Sequence, residues 1–230
     1  IIQNVGAILE NDDQNGLAHF LEHMAFNGTK NFPGKGIISG LEKHGVAFGS
    51  NINAYTSYDE TVYNITNVPV DKRPDLIDTC LLILHDWSDF ISLEEKEIDL
   101  ERGVILEEWR RGEDASSRMF NKIILPVLLK DSKYAKRDVI GDPEVIKNFS
   151  YNTLRDFYFS WYRTDLQAIA VVGDLNVEEV EAKIKAMFSE IQAVSDPPAR
   201  YFPDVPEHKE TYFVLATDKE APQTGVSVFM

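Results

Sequence analysis

The chain has 230 residues, 43% of them hydrophobic and 27% charged, and a formal net charge of -15 at pH 7. This is the size and balance of a folded chain with one large domain or one and a half small ones, and the acidic excess speaks against nucleic acid and a basic membrane patch as partners. The single cysteine, Cys80, excludes an intrachain disulfide, and no apolar run reaches the length of a membrane span, so no membrane insertion is expected.

Residues 1–10 (IIQNVGAILE) read as a strand, rich in β-branched and apolar residues. A polar turn from Asn11 to Gly16 comes next, with Asn15 as the candidate N-cap of a helix running from Gly16 to about Phe26. Leu17, Phe20, Leu21 and Met24 give that helix an apolar face, and Asn27-Gly28-Thr29 ends it. Ile37, Ile38 and Leu41 form the stripe of a short helix stopped by Gly45. Residues 46–57 and 61–68 read as two strands joined by a turn at Tyr58-Asp59-Glu60. Long helices are expected over residues 71–90 and 93–111. A third, over 117–130, is interrupted by Pro126, which should kink or end it. Pro143 opens a short helix after Asp142, and residues 150–162 form an aromatic helix whose Phe157, Tyr158, Phe159, Trp161 and Tyr162 suit a core. A strand over 166–172, an amphipathic helix over 177–191, a proline-rich linker and two strand-like stretches, 211–216 and 224–230, complete the chain. Strands and helices mix without βαβ alternation. The expected class is α+β, a largely antiparallel sheet with helices packed on it.

The stretch His19-Phe20-Leu21-Glu22-His23 carries the chemistry. On a helix, positions i and i+4 share a face, so both imidazoles can reach one metal ion. Glu22 projects from the same side, one turn after His19, as a carboxylate beside the metal that need not ligate it. Zinc hydrolases use this H-x-x-E-H order as well as its mirror H-E-x-x-H. Hydrolytic zinc has three protein ligands and an open position, which leaves one ligand to find. Cys80 lies in an apolar run and suits a structural thiol. On the helix over 93–111, Ile98, Glu101, Ile105 and Glu108 form one stripe, and carboxylates on a stripe that faces the core are costly unless paired or metal-bound. Glu107 precedes Arg110 and Arg111 by three and four residues and reads as a surface ion pair. The third ligand is therefore Glu108 or Glu101. His44, His85 and His208 have no partner at ligand spacing and read as structural.

The run from His19 to Thr29 resembles the zinc signature of the M16 metallopeptidases (pitrilysin, insulysin, mitochondrial processing peptidase), and its wording is most like the bacterial PqqL-like members. Asn53-Ala54-Tyr55-Thr56-Ser57 resembles their substrate-strand motif, the segment from Glu101 to Glu108 their E-R-x(5)-E segment, and Gly173-Asp174 is similar too. The resemblance implies the M16 (LuxS/MPP-like metallohydrolase) fold and one Zn2+ per domain. Its ligands are His19, His23 and Glu108, with Glu101 orienting a histidine and Glu22 as general base. Asn53 and Ala54 would hold a peptide substrate added as an extra strand.

It further implies a zinc-bearing domain at 1–192, cut at its N-terminus, a linker at 193–206, and terminal strands at 207–230 that begin a second domain. The start at Ile1 and the strand-like end suggest a piece of a longer protein. That piece would be weak or inactive until further M16 domains or a partner subunit complete it. The PqqL-like wording implies a periplasmic location. A non-catalytic M16-like structural subunit is the alternative, but it would have no need of His19, Glu22, His23 and Glu108.

Overall fold

The computed structural model describes residues 1–229. Its elements in chain order are β1 (Ile2–Gln3), α1 (Leu17–Met24), α2 (Gly36–Glu42), β2 (Ile52–Thr56), β3 (Thr61–Ile65), α3 (Leu76–Asp89), α4 (Glu95–Gly112), α5 (Ala115–Met119), α6 (Leu125–Leu128), α7 (Pro143–Asn148), α8 (Tyr151–Trp161), β4 (Gln167–Ala168) and α9 (Val177–Phe188). The strands form one sheet in the order β2-β3-β1-β4, with every neighbouring pair antiparallel. Helices pack on it, giving the α+β class expected from the mixed element order.

The core lies between the sheet and α1, α3 and α8, where Phe20, Leu21, Tyr63, Trp87, Phe157 and Tyr158 are fully or almost fully buried. Trp87 carries the link between helices: its indole N–H donates to the Ala25 carbonyl at 3.0 Å, and its ring meets Phe26 edge-on and stacks on Tyr63. A buried Trp needs such a polar partner as well as apolar walls. Of the aromatic run on α8, Phe157, Tyr158, Trp161 and Tyr162 are buried as expected, while Phe159 faces outward.

Several elements are shorter than the sequence pattern suggests, each for a tertiary reason. The first strand stops at Gln3 because the amides of Ala7 and Ile8 turn to the carbonyls of Ser57 and Tyr58, and a 3-10 turn forms over Ala7–Leu9. The strand expected over 166–172 is limited to Gln167–Ala168, since β1 offers it only two residues to pair with. Residues 211–216 and 224–229 form no strand among the described residues. A strand requires a partner, and among the described residues no backbone hydrogen bond joins these stretches to another strand. Met230, the last residue of that expectation, lies outside the described residues. Pro126 does interrupt its helix: it has no N–H to give, and the chain widens into a π-helical turn over Phe120–Ile124 between α5 and α6. Asp142 caps α7 ahead of Pro143, accepting from the amides of Glu144 and Val145.

Candidate metal centre

The position of α1 is set at its N-terminus. Asn15 does not cap it. Gly16 takes the N-cap place with φ +104°, a conformation that suits glycine. The capping oxygens come instead from Glu10, whose buried carboxylate accepts from the Gly16 amide at 3.0 Å and the Ala18 amide at 2.8 Å. These are orphan donors of a helix start, and the two oxygens of the Glu10 carboxyl group meet them. Gly16 also packs backbone to backbone on Gly141: a Cβ on Gly16 would lie 2.7 Å from the Gly141 Cα. The short connection from 138 to 142 is thereby pressed against the start of the motif helix.

From this anchored helix His19 and His23 project together, their rings edge to face with centroids 4.7 Å apart. Helix α4 crosses α1 and brings two carboxylates to them. Arg102 ties α4 to the C-terminal end of α7. Its guanidinium donates to the carbonyls of Ile146 at 2.7 Å and Phe149 at 2.9 Å and lies over the Phe149 ring. Ile98 and Ile105 are buried on the α4 stripe, Glu101 is buried between them, and Glu108 emerges exposed at its far end.

The two carboxylates have different surroundings. Glu101 Oε1 stands 2.7 Å from His23 Nδ1, and its Oε2 accepts from Asn27 Nδ2 at 2.6 Å. Glu108 Oε2 stands 3.4 Å from His23 Nε2 and 3.8 Å from His19 Nε2. His19, His23 and Glu108 each offer one ligand atom, and these atoms lie within 4.8 Å of one another. Among the described residues they form the one cluster with metal-holding geometry. Glu107 points away and pairs with Arg110 and Arg111, as its spacing predicts. His44, His85 and His208 lie outside the cluster, and Cys80 is a half-buried thiol pushed up to about 11 by burial.

Glu22, half-buried beside these groups, accepts from the Thr56 hydroxyl at 2.5 Å through its Oε2. Burial raises its pKa above the ordinary carboxylate range, opposed by the Thr56 bond and the charge of His23. Burial lowers His19 to about 4, so its ring is neutral near pH 7, as a metal ligand must be. Burial also works against a charge on His23, but the bond to Glu101 and the carboxylates of Glu101, Glu108 and Glu22 outweigh it and raise its pKa. For Glu101 burial is again the opposing influence; the bonds from His23 and Asn27 and the charge of Lys35 hold it below its usual value.

Asn53 and Ala54 lie on β2, the outer strand of the sheet. The Ser57–Glu60 and Asn51–Thr66 backbone bonds fix which β2 residues face β3. By antiparallel alternation Asn53 and Tyr55 turn their backbones inward, whereas Ala54 and Thr56 turn theirs to the free edge. The Asn53 side chain folds onto that edge and accepts from the Ala54 amide at 2.9 Å.

Three contributors escape the sequence reading: Thr56 on Glu22, Asn27 on Glu101, and Lys35, whose Nζ donates to Asn27 Oδ1. Asn27 had a signal. It stands four residues after His23, and so continues the metal-facing side of the helix beyond its last turn.

The donor set fits a zinc ion. Two ligands of a tetrahedral zinc at 2.0–2.1 Å stand about 3.3 Å apart, close to the spacing of Glu108 Oε2 from the two histidine nitrogens. Two imidazoles and one carboxylate also match the usual hydrolytic ligand set.

Comparison with known proteins agrees with this geometry. The family described as insulinase (peptidase family M16) matches residues 1–135, and the peptidase M16 inactive domain matches residues 148–229. The chain is 37% identical over 226 residues to the probable zinc protease PqqL of Escherichia coli (strain K12), covering 98% of this chain and 24% of that protein. It is 38% identical over 190 residues to the probable zinc protease PqqL of Haemophilus influenzae, covering 83% of this chain and 20% of the relative. The crystal structure of the first half of the periplasmic protease PqqL from Escherichia coli superposes with a TM-score of 0.81 at 37% identity, over 88% of this chain and 42% of that one. The chain thus spans a quarter or less of the length of these two relatives. With its inverted histidine motif, its carboxylate helix and these likenesses together, the chain belongs to the insulinase family of peptidases, M16.

Proposed function

We propose that the chain is the zinc-bearing domain of a metalloendopeptidase, hydrolysing peptide bonds of peptides or small proteins with Glu22 as general base. The observation that carries this reading is the convergence of His19, His23 and Glu108 within 4.8 Å. Zinc held there would supply a Lewis acid for the scissile carbonyl and lower the pKa of a water to about 7.

The chain's own residues do the remaining work. Thr56 occupies Glu22 Oε2, which leaves Oε1 to take a proton as water attacks and to return it to the leaving amine. Glu101 holds the His23 ring by Nδ1, so that Nε2 is the nitrogen offered to the metal. The edge of β2 at Ala54 and Thr56 can accept an extended peptide as a further strand, with Asn53 beside it.

Residues 1–192 are read as the catalytic unit, 193–206 as a linker and 207–230 as the start of a second domain. No helix or strand forms after α9 among the described residues, which supports a connecting role; the inactive-domain match begins earlier, at residue 148. Because the relatives are about four times as long, further domains or a partner subunit would complete the activity, and this stretch alone would be weak or inactive. No helix among the described residues is long and apolar enough to cross a membrane. The likeness to a periplasmic protease supports a periplasmic location.

The test is peptide hydrolysis by the full-length protein and its Glu22→Gln variant, with zinc measured in both. The expected result is retained zinc with hydrolysis reduced by about 100-fold or more. Undiminished turnover in the variant would remove Glu22 from its role.

A further inference from the structure

Glu101 is held at both of its oxygens, and the second hold leads out to the surface. Asn27 is 4% exposed and lies just past the end of α1. Its Nδ2 donates to Glu101 Oε2 at 2.6 Å, and its Oδ1 accepts from the Nζ of Lys35, an exposed residue at the start of α2.

The polarity of this chain of bonds is forced by its ends. An amide can present either its oxygen or its nitrogen to a neighbour. Lysine only donates and an ionised carboxylate only accepts. Lys35 therefore claims the amide oxygen and leaves the amide N–H for Glu101. A flipped amide would set oxygen against oxygen at Glu101. With Oε2 fixed in this way, the carboxylate cannot pivot, and Oε1 stays aimed at His23 Nδ1, 2.7 Å away. An N–H on Nδ1 leaves the lone pair on Nε2, which faces Glu108 at 3.4 Å.

We propose that Lys35 and Asn27 are positioning residues for metal capture: a one-way hydrogen-bond chain, Lys35 to Asn27 to Glu101, holds His23 in the tautomer that offers Nε2 to the metal. The inference rests on the zinc-site reading above and extends it by two residues that touch neither metal nor substrate. A purely structural role for Asn27 would be to satisfy a buried carboxylate. Such a role predicts lost stability with an unchanged His23 tautomer.

The experiment uses the whole chain with Asn27→Leu, Lys35→Met, Lys35→Arg and, as a control at a nearby exposed lysine, Lys43→Met. Three quantities are measured: zinc affinity by competition with a chromophoric chelator, the His23 ring-nitrogen NMR shifts of metal-free protein at one fixed alkaline pH at which the ring is neutral, and thermal melting. The expected result is zinc affinity lowered about ten- to hundredfold in Asn27→Leu and Lys35→Met, with the His23 signals moving toward a mixture of tautomers. Lys35→Arg, which keeps the donor, and Lys43→Met should match the unaltered chain.

Lys35 is exposed, so Lys35→Met decides the matter even where Asn27→Leu fails to fold. A folded Lys35→Met with unaltered His23 tautomer and zinc affinity would overturn the proposal. If the unaltered chain takes up no zinc, the metal-site reading fails by itself. The tautomer comparison on metal-free protein then still supports or overturns the role of Lys35 and Asn27.

Discussion

His23 and Glu101 are 78 residues apart in the chain and 2.7 Å apart in the fold. The contact joins the motif helix to the carboxylate helix and determines which nitrogen of His23 is left for a metal. Glu101→Gln keeps the shape and an acceptor oxygen but removes the charge. Its zinc affinity should fall about ten- to hundredfold while the fold is retained. Chelator competition and circular dichroism on the same sample read both quantities, and an unchanged affinity would assign Glu101 a packing role only.

Glu108 and Glu107 are adjacent in sequence and opposite in surroundings. Glu108 reaches both histidines, while Glu107 reaches Arg110 and Arg111. Glu108→Ala should abolish tight zinc binding, and Glu107→Ala should leave it unchanged with a stability shift within about 0.5 kcal/mol, as for exposed ion pairs. The reverse pattern would move the third ligand to Glu107.

Glu10 makes stability depend on pH. Its buried carboxyl is pushed up from 4.5 to about 8 by burial, against the bonds from the Ala18 and Gly16 amides and the charge of Arg137. A raised folded pKa means that the native state keeps a proton that the unfolded chain gives up. The stabilising contribution is then fully present below about pH 4.5 and is lost as pH rises toward 8, on the order of a few kcal/mol. Urea unfolding of metal-free protein at pH 5 and pH 8 should show this loss, and Glu10→Gln should flatten it. Equal slopes in the two proteins would place the pH dependence elsewhere.

The parts legible in the sequence are those set by spacing within one element. His19 and His23 at i and i+4, and Glu101 and Glu108 on one stripe, follow from helical geometry alone. The α+β class follows from the element order. What the sequence hides is set by contacts across the chain. Thr56 meets Glu22 over 34 residues and Asn27 meets Glu101 over 74. Glu10 replaces Asn15 as the cap of α1 because it is brought there by a turn, which no local N-cap pattern can reveal. The short strands β1 and β4 have the same origin: apolar, β-branched residues give a strand tendency, but ladder length depends on what the neighbour offers.

The most direct test of the account is the zinc content of the purified chain after dialysis against metal-free buffer, measured by elemental analysis beside His19→Ala. The account predicts about one zinc per chain, absent from the variant. Equal zinc in both proteins, or none in a folded unaltered chain supplied with zinc, would contradict it.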